Sequence, residues 1–560
     1  MMDIYGVMTM ASSSLLAQQK AINVTGNNIA NVNTPGYSRQ RVAMETKLPL
    51  MSSSGPMTYG VEVGNIERVY DRFLGVQINA ESETLGHWEA RKDGLEIAEV
   101  IFNESGEFGL SQSINQFWGS WQDLSNDPSS HNERVVLQAH SEVMTGTFNQ
   151  IYSDLLNAQQ GLDGSIEGAV AEINALSQQI ADLNQKVMEV EASGFTANDY
   201  RDKRDLALKE LAGLIDINAF EDTSGRVTVS VGAGQTLVES SSSHNLTTQV
   251  NGFGLKNIAW VGPDGTTVDI TSDIHNGEVN GWLEARDVDI RGYLRQLDTL
   301  AETMIEQVNT LHQAGWGLDG STGTAFFTGL AQASGSMDSL LTITAEAGGT
   351  GNIQVTLVGG GTAGAETVTT DPVTGDIQIA IEDGVSTGGD IATALQAHAG
   401  INTVVAGAPA AVWDLSAGTN TSVLAGGISA RGLQVNSAVS NNLDLMAASS
   451  TSAGLPGNND QAIAIANLQH ALTMENNSTT FEDYYNTLVS QVGGDLQSAN
   501  AYSNHQSDMV VQLENRRESI SGVSLDEEMI NLLKFQAAYD AAAKLITTAD
   551  ELLQTVLRMV

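Results

Sequence analysis

The stretch Asn27-Asn28-Ile29-Ala30-Asn31-Val32-Asn33-Thr34-Pro35-Gly36-Tyr37-Ser38-Arg39-Gln40 closes the first helical segment of the chain. Upstream of it Ile4, Met8, Ala11, Leu15, Ile22 and Ile29 fall at spacings of three, four or seven, which puts them along one stripe of a helix. The stripe stops where proline fixes φ, biases Thr34 toward an extended conformation and ends helical hydrogen bonding. The chain must turn at Pro35-Gly36.

A second stripe ends the sequence. Leu525, Met529, Leu532, Phe535, Tyr539, Ala542, Leu545, Ala549, Leu552 and Val556 share one helical face. Ser524 and Glu527 have capping-box spacing, and Asp526, Glu527 and Glu528 suit the positive end of the helix dipole. An isolated helix gains little in water while its apolar stripe stays wet. Burying one Leu or Ile contributes roughly 1.5 to 3 kcal/mol, so several pairs between the stripes, and then between copies, offset the entropy of ordering both helices. The two ends are therefore expected to pair as a coiled coil and to become fully ordered on assembly.

The wording of both ends resembles one family. Asn-Asn-Ile-Ala-Asn at 27–31 followed by Thr-Pro-Gly-Tyr-Ser-Arg-Gln at 34–40 is similar to the N-terminal signature of the bacterial flagellar rod, hook and hook-associated axial proteins. Tyr37-Ser38-Arg39-Gln40, continuing as Arg41-Val42, most resembles the hook-associated members, as do Ser521 to Glu528 with Phe535-Gln536-Ala537-Ala538-Tyr539. Similar phrases recur at Val61-Glu62-Val63 through Asp71 and at Leu311-His312-Gln313-Ala314-Gly315.

The resemblance implies a structural, non-enzymatic junction protein between flagellar hook and filament. It implies a homo-oligomer in the axial structure, with the hook protein, the next hook-associated junction protein, flagellin and an export chaperone as partners. The residues expected to carry assembly are Ile4, Met8, Leu15, Ile22, Asn27, Asn28, Ile29, Asn31, Pro35, Gly36 and Tyr37 at one end. At the other they are Leu525, Met529, Leu532, Phe535, Tyr539, Leu545, Leu552 and Val556. The alternative is a flagellar surface adhesin or glycan-binding protein whose activity sits in a module at 334–448.

Composition narrows the field independently. A chain of 560 residues should divide into three or more domains. A formal charge of −42 argues against nucleic acid, whose binding needs clustered Lys and Arg. Having no cysteine, the chain can form neither disulfides nor thiolate sites. The start, Met1-Met2-Asp3-Ile4-Tyr5, lacks the basic and apolar regions of a secretory signal, and no apolar run is long enough to span a bilayer. Those features alone indicate a cytosolic protein with no membrane insertion. The resemblance reverses that, since flagellar axial proteins leave unfolded through a type III channel without a cleaved signal.

Between the ends the sequence reads as α+β and multidomain: long terminal helices forming a coiled-coil core, a helical bundle domain, and inserted, mostly-β outer domains. The expected divisions are 1–40 (axial helix and turn), 41–220 (mainly helical), 221–275 (small β-domain), 276–333 (return helix and loop), 334–448 (inserted α+β module), 449–523 (helical return) and 524–560 (C-terminal axial helix). Ile114, Phe117, Trp118, Trp121 and Leu124 form an aromatic stripe that reads as core. Glu133 to Leu156 and Ile166 to Ala192 read as two helices, and Tyr200-Arg201-Asp202-Lys203-Arg204-Asp205 as a solvated helix surface with alternating charge.

Chemistry is sparse. No His-Glu-x-x-His, phosphate-cradling Gly-rich loop or nucleophile elbow is present. His131 and His140 read as surface residues, and Asp319-Gly320 as a turn. No catalytic residue, cofactor or metal is expected.

Overall fold

Two helix pairs and one very long helix set the architecture. The computed structural model describes residues 4–47, 50–52, 55–57, 60–103, 109–251, 254–328, 334–337, 341–345, 353–359, 362–363, 366–370, 377–382, 385–396, 401–406, 421–424 and 430–559. The helices are α1 (Ile4–Ala30), α2 (Arg72–Phe102), α3 (Leu110–Asn126), α4 (His131–Glu191), α5 (Asn198–Leu214), α6 (Gly277–Glu284) and α7 (Arg291–Ala314). They continue with α8 (Gly388–Gln396), α9 (Ser437–Asn441), α10 (Asp460–Ala466), α11 (Phe481–Ser521) and α12 (Leu525–Met559). Helix α1 packs along α12, and α2 along α11, so the two halves of the chain run back beside each other.

The helix starts follow from capping. Asp71 accepts from the Phe73 and Leu74 N–H groups, Ser130 from Glu133 and Thr480 from Asp483, each satisfying donors that the first turn leaves free. The expected break between Leu156 and Ile166 is absent: α4 runs 61 residues without interruption, about 90 Å at 1.5 Å per residue. Gly161 and Gly164 each disfavour helix by up to ~1 kcal/mol. Burial of Ala158, Leu162, Ile166 and Ala169 along one face continues straight across them and outweighs that cost.

Helix α4 joins two cores. Its first half packs with α2, α3, α7, α10 and α11 around Phe117, Trp118, Trp121, Phe326, Phe327 and Phe481. The aromatic stripe is therefore core, as its spacing predicts. Its second half packs with α5, α6 and two antiparallel sheets. One sheet is a meander of Asn218–Glu221, Val227–Val231, Gln235–Glu239 and Ser242–Ser243. In the other, Lys256–Val261 lies between Leu246–Val250 and Thr267–Asp269. Close approach explains Gly86 in α2, where a Cβ would come within 2.1 Å of the Gly213 carbonyl oxygen.

A π-helical segment, Ala285–Ile290, links α6 to α7 where the two cores meet. The fully buried Arg286 lies in it. Its guanidinium binds Asp163 of α4 and the Lys256 carbonyl, while the Gln159 amide donates to the Arg286 carbonyl at 2.7 Å. Side chains thus take up backbone and charge that the irregular turn leaves over.

The inserted module is attached through a two-residue ladder, Phe327 opposite Val435 and Thr328 opposite Gln434. Within it, Ile353–Gly359 pairs in parallel with Ile377–Ile381 and antiparallel with Thr421–Leu424, and α8 supplies the buried Ile391 and Leu395. Both attachment strands are fixed from the bundle. Asn309 accepts from the Phe326 and Phe327 N–H groups at 2.9 Å each, and Asp298 accepts from Ala430 N at 2.7 Å.

Candidate assembly site

The terminal pair meets through small side chains. On α1 the buried residues include Ala11, Ala17, Ala21 and Val24, and on α12 Ala542 and Ala549. Met8, Leu15, Ile22 and Ile29 are half-buried, as are Leu532, Phe535 and Tyr539, whereas Leu525, Met529, Leu545 and Leu552 are exposed. The side chains of Ile4 and Val556 lie outside the described residues. The two expected stripes therefore do not close on each other through their large residues. Alanines let the backbones approach, and the large apolar side chains flank the contact and face outward.

At the upper end of the pair, the turn after α1 is a hub. Asn31 Nδ2 donates to the Asn27 carbonyl at 3.0 Å and Thr34 N to the Asn31 carbonyl at 2.9 Å, which stops the helix before the exposed Pro35. Gly36 has φ of +75°, and a Cβ there would lie 3.3 Å from Leu206 Cβ, so both conformation and space favour glycine. The chain then returns as Gln40–Thr46, antiparallel to Val61–Arg68.

Asn28 organises the hub with all four of its amide hydrogen-bonding positions. Nδ2 donates to the Gln40 carbonyl at 2.8 Å and to Glu528 Oε2 at 2.9 Å. Oδ1 accepts from Tyr37 OH at 2.9 Å and Gln40 N at 3.0 Å. Glu528 is 2% exposed, and its other oxygen accepts from Arg39 Nε at 2.8 Å. Arg39 Nη1 also reaches Glu527 at 2.7 Å, and Arg39 N donates to the Ser521 carbonyl at 2.8 Å. Glu527 thus turns to Arg39 instead of closing a capping box with Ser524.

A third element enters from α5. Ser38 N donates to Asp202 Oδ2 at 2.9 Å, Gln40 Nε2 to Asp199 at 2.7 Å, and Arg68 bridges Asp202 and Asp205 at 3.0 and 2.6 Å. Arg68 also lies 4.0 Å over the Tyr70 ring. The solvated-surface expectation for Tyr200 to Asp205 is corrected here. Asp202 and Arg204 are buried, and Arg204 binds Asn184, the Gly225 carbonyl and Glu221. Arg201, Asp202, Arg204 and Asp205 each meet a partner from another element, and Lys203 stays exposed.

Burial raises the Asp202 pKa despite the Ser38 and Arg68 contacts. Burial, then Asp199, Asp202 and Glu528, raises that of Tyr37, which stays a neutral donor to Asn28. For Arg68 burial opposes the charge, but Asp205 and Asp202 outweigh it and the pKa rises. These groups carry structure. Among the described residues no three His, Asp or Glu side chains converge as a metal site, and no helix is long and apolar enough to cross a membrane. Sequence reasoning missed Glu528, Arg39 and Asp202 as joint residues. The available signal was a carboxylate, Glu528, in the first turn of α12 directly before the apolar Met529-Ile530.

A chain whose two ends pair, tied by one turn, while every other domain is inserted between them has the plan of a bacterial flagellar axial protein. Known sequences place it in that class. A family of flagella basal body rod proteins matches residues 8–37, and the C-terminal region of the FlgEFG basal body rod proteins matches 516–559. Between them the helical domain of the flagellar hook-associated protein FlgK matches 95–327. Flagellar hook-associated protein 1 of Bacillus subtilis is 26% identical, with 98% of this chain and 96% of that protein covered. The Salmonella typhimurium protein of the same name is 27% identical, covering 98% and 99%.

The chain belongs to the flagellar hook-associated protein 1 family: it is a structural, non-enzymatic component of the hook–filament junction of the extracellular flagellum. In fold it is similar to the flagellar hook junction protein FlgK of Burkholderia pseudomallei, with a TM-score of 0.64 and 16% identity over 80% of this chain and 100% of that one.

Proposed function

We propose that this chain is the adaptor at which a hook lattice ends and a filament lattice begins, and that its paired terminal helices are the adapting surface. Copies dock heterologously, head to tail, around a common axis. The hook protein lies beneath them, and the next junction protein and flagellin lie above. An export chaperone covers the apolar ends during delivery. One observation supports this most directly. Among the described residues, α12 leaves seven large apolar side chains exposed, Leu525, Met529, Ile530, Leu533, Leu545, Leu552 and Leu553, and α1 leaves Leu16 exposed. Exposed apolar surface of this extent marks an interaction site.

Removing Asp540 to Val560 tests the proposal in cells and in solution. The shortened chain should be secreted and retain its bundle, while flagella end as bare hooks and flagellin is shed. Filaments of normal number and length on those hooks would refute it.

A further inference from the structure

The chain's negative charge is unevenly placed. The base of the molecule comprises 1–72, the end of α4 with α5 to residue 209 (186–209), and the end of α11 with α12 (514–560), the elements that meet at the hub. These 143 residues hold 16 basic and 18 acidic side chains, and the other 417 hold 9 basic and 49 acidic. The base is thus near neutral, and the remaining body carries almost the whole of the −42. Free cations follow the same division. Among the described residues, Lys20, Arg72, Lys203 and Arg516 are exposed with no carboxylate partner, and all belong to the base. In the body, Lys92, Arg226 and Lys256 each face a carboxylate.

With copies meeting through the base, we infer that the acidic body makes their meeting depend on ionic strength. This rests on the docking proposed above. Neutrality and exposed apolar side chains make the base self-compatible. Bodies of like charge held side by side repel over about 8 Å at physiological salt and farther at low salt. Association therefore strengthens as salt rises, the opposite of an interface held by surface ion pairs.

Sedimentation velocity of the full chain at about 20 mM and about 500 mM NaCl reads this directly, with at least about a tenfold gain in association constant expected at the higher salt. Two full-length variants separate the causes. Glu142→Gln/Glu172→Gln/Asp182→Asn/Glu239→Gln removes exposed body charge and should associate at lower salt than the unaltered chain. Leu533→Ser/Leu545→Ser/Leu552→Ser should stay monomeric throughout. Association that salt weakens or leaves unchanged, or a salt requirement that the charge variant does not shift, overturns the inference while leaving the docking proposal intact. Association that persists in the serine variant, or none at either salt, overturns the docking proposal and this inference with it.

Discussion

Asn28 and Glu528 stand 500 residues apart in sequence and 2.9 Å apart in the fold, joined by a buried hydrogen bond from amide to carboxylate. That bond fixes the register of α12 against α1, because each partner has its remaining capacity committed: Asn28 to Tyr37 and Gln40, Glu528 to Arg39. Buried polar pairs of this kind contribute more to a unique register than to net stability.

Glu528→Gln keeps the shape and removes the charge facing Arg39, whose side chain is 23% exposed. Partial solvation of Arg39 moderates the loss, so the terminal pair should weaken by roughly 1 to 3 kcal/mol. Faster amide exchange over 525–545, with α3 and α4 protected as before, is the expected result. Unchanged exchange in α12 would show that the apolar contacts set the register unaided.

The contact between α1 and α12 is filled by alanines, so enlarging one should separate the helices. Ala17 and Ala21 are each 1% exposed and Ala542 is 4% exposed. Ala17→Leu is expected to open the terminal pair at about 1 to 3 kcal/mol while the melting of the bundle stays put. Cysteine-free spin labels introduced on α1 and α12 would report the opening as a longer inter-label distance.

Much of this was legible in the sequence, and what was not shares a cause. Local pattern gave the terminal helices, the turn at Pro35-Gly36, the aromatic core of α3 and the β character of 221–275, because each depends on residues near in sequence. Helix α4 misled at Gly161 and Gly164, since its continuity comes from burial of Leu162 and Ile166 against distant elements. Asp202 read as surface charge and Glu528 as an acid at the positive end of the helix dipole, because their partners, Ser38 and Asn28, lie 164 and 500 residues away. The stripes were located correctly, yet periodicity cannot tell which of their residues face the helix partner and which face outward.

His312 should make the bundle acid-sensitive. It is 1% exposed, with Nδ1 2.7 Å from the Thr324 carbonyl and Nε2 accepting from Ala447 N at 3.0 Å, an arrangement that requires the neutral ring. Burial lowers its pKa from 6.5 to about 4. The unfolded chain therefore binds a proton below about 6.5 that the folded chain refuses, so this stability is complete above that pH and is lost as pH falls toward 4. The loss amounts to roughly 3 kcal/mol. Glu302 on the same helix acts oppositely, because burial and then Glu306 raise it to about 7, so acidification relieves its penalty. Comparing urea unfolding of the unaltered chain and His312→Asn at pH 7.5 and 4.5 isolates the histidine, and the variant should show the smaller loss on acidification.

The inserted module should be removable. Its attachment strands already pair, Phe327 with Val435 and Thr328 with Gln434, so a short glycine turn can replace 331–430 without moving either strand. Asn309 and Asn149 hold those strands from α7 and α4, through Phe326, Phe327 and the Leu433 carbonyl, and all of these groups survive the deletion. Among the described residues, Asp298 loses its partner, the Ala430 N–H. Burial already raises its pKa well above the usual range, which favours the neutral acid over a bare buried carboxylate, and the lost hydrogen bond costs about 1 to 3 kcal/mol. The shortened protein should thus melt cooperatively a few degrees below the full chain, and a strain carrying it should still build filaments. Loss of cooperative melting would show that the module completes the bundle core. Filament loss from a protein that melts normally would place a junction contact on the module itself.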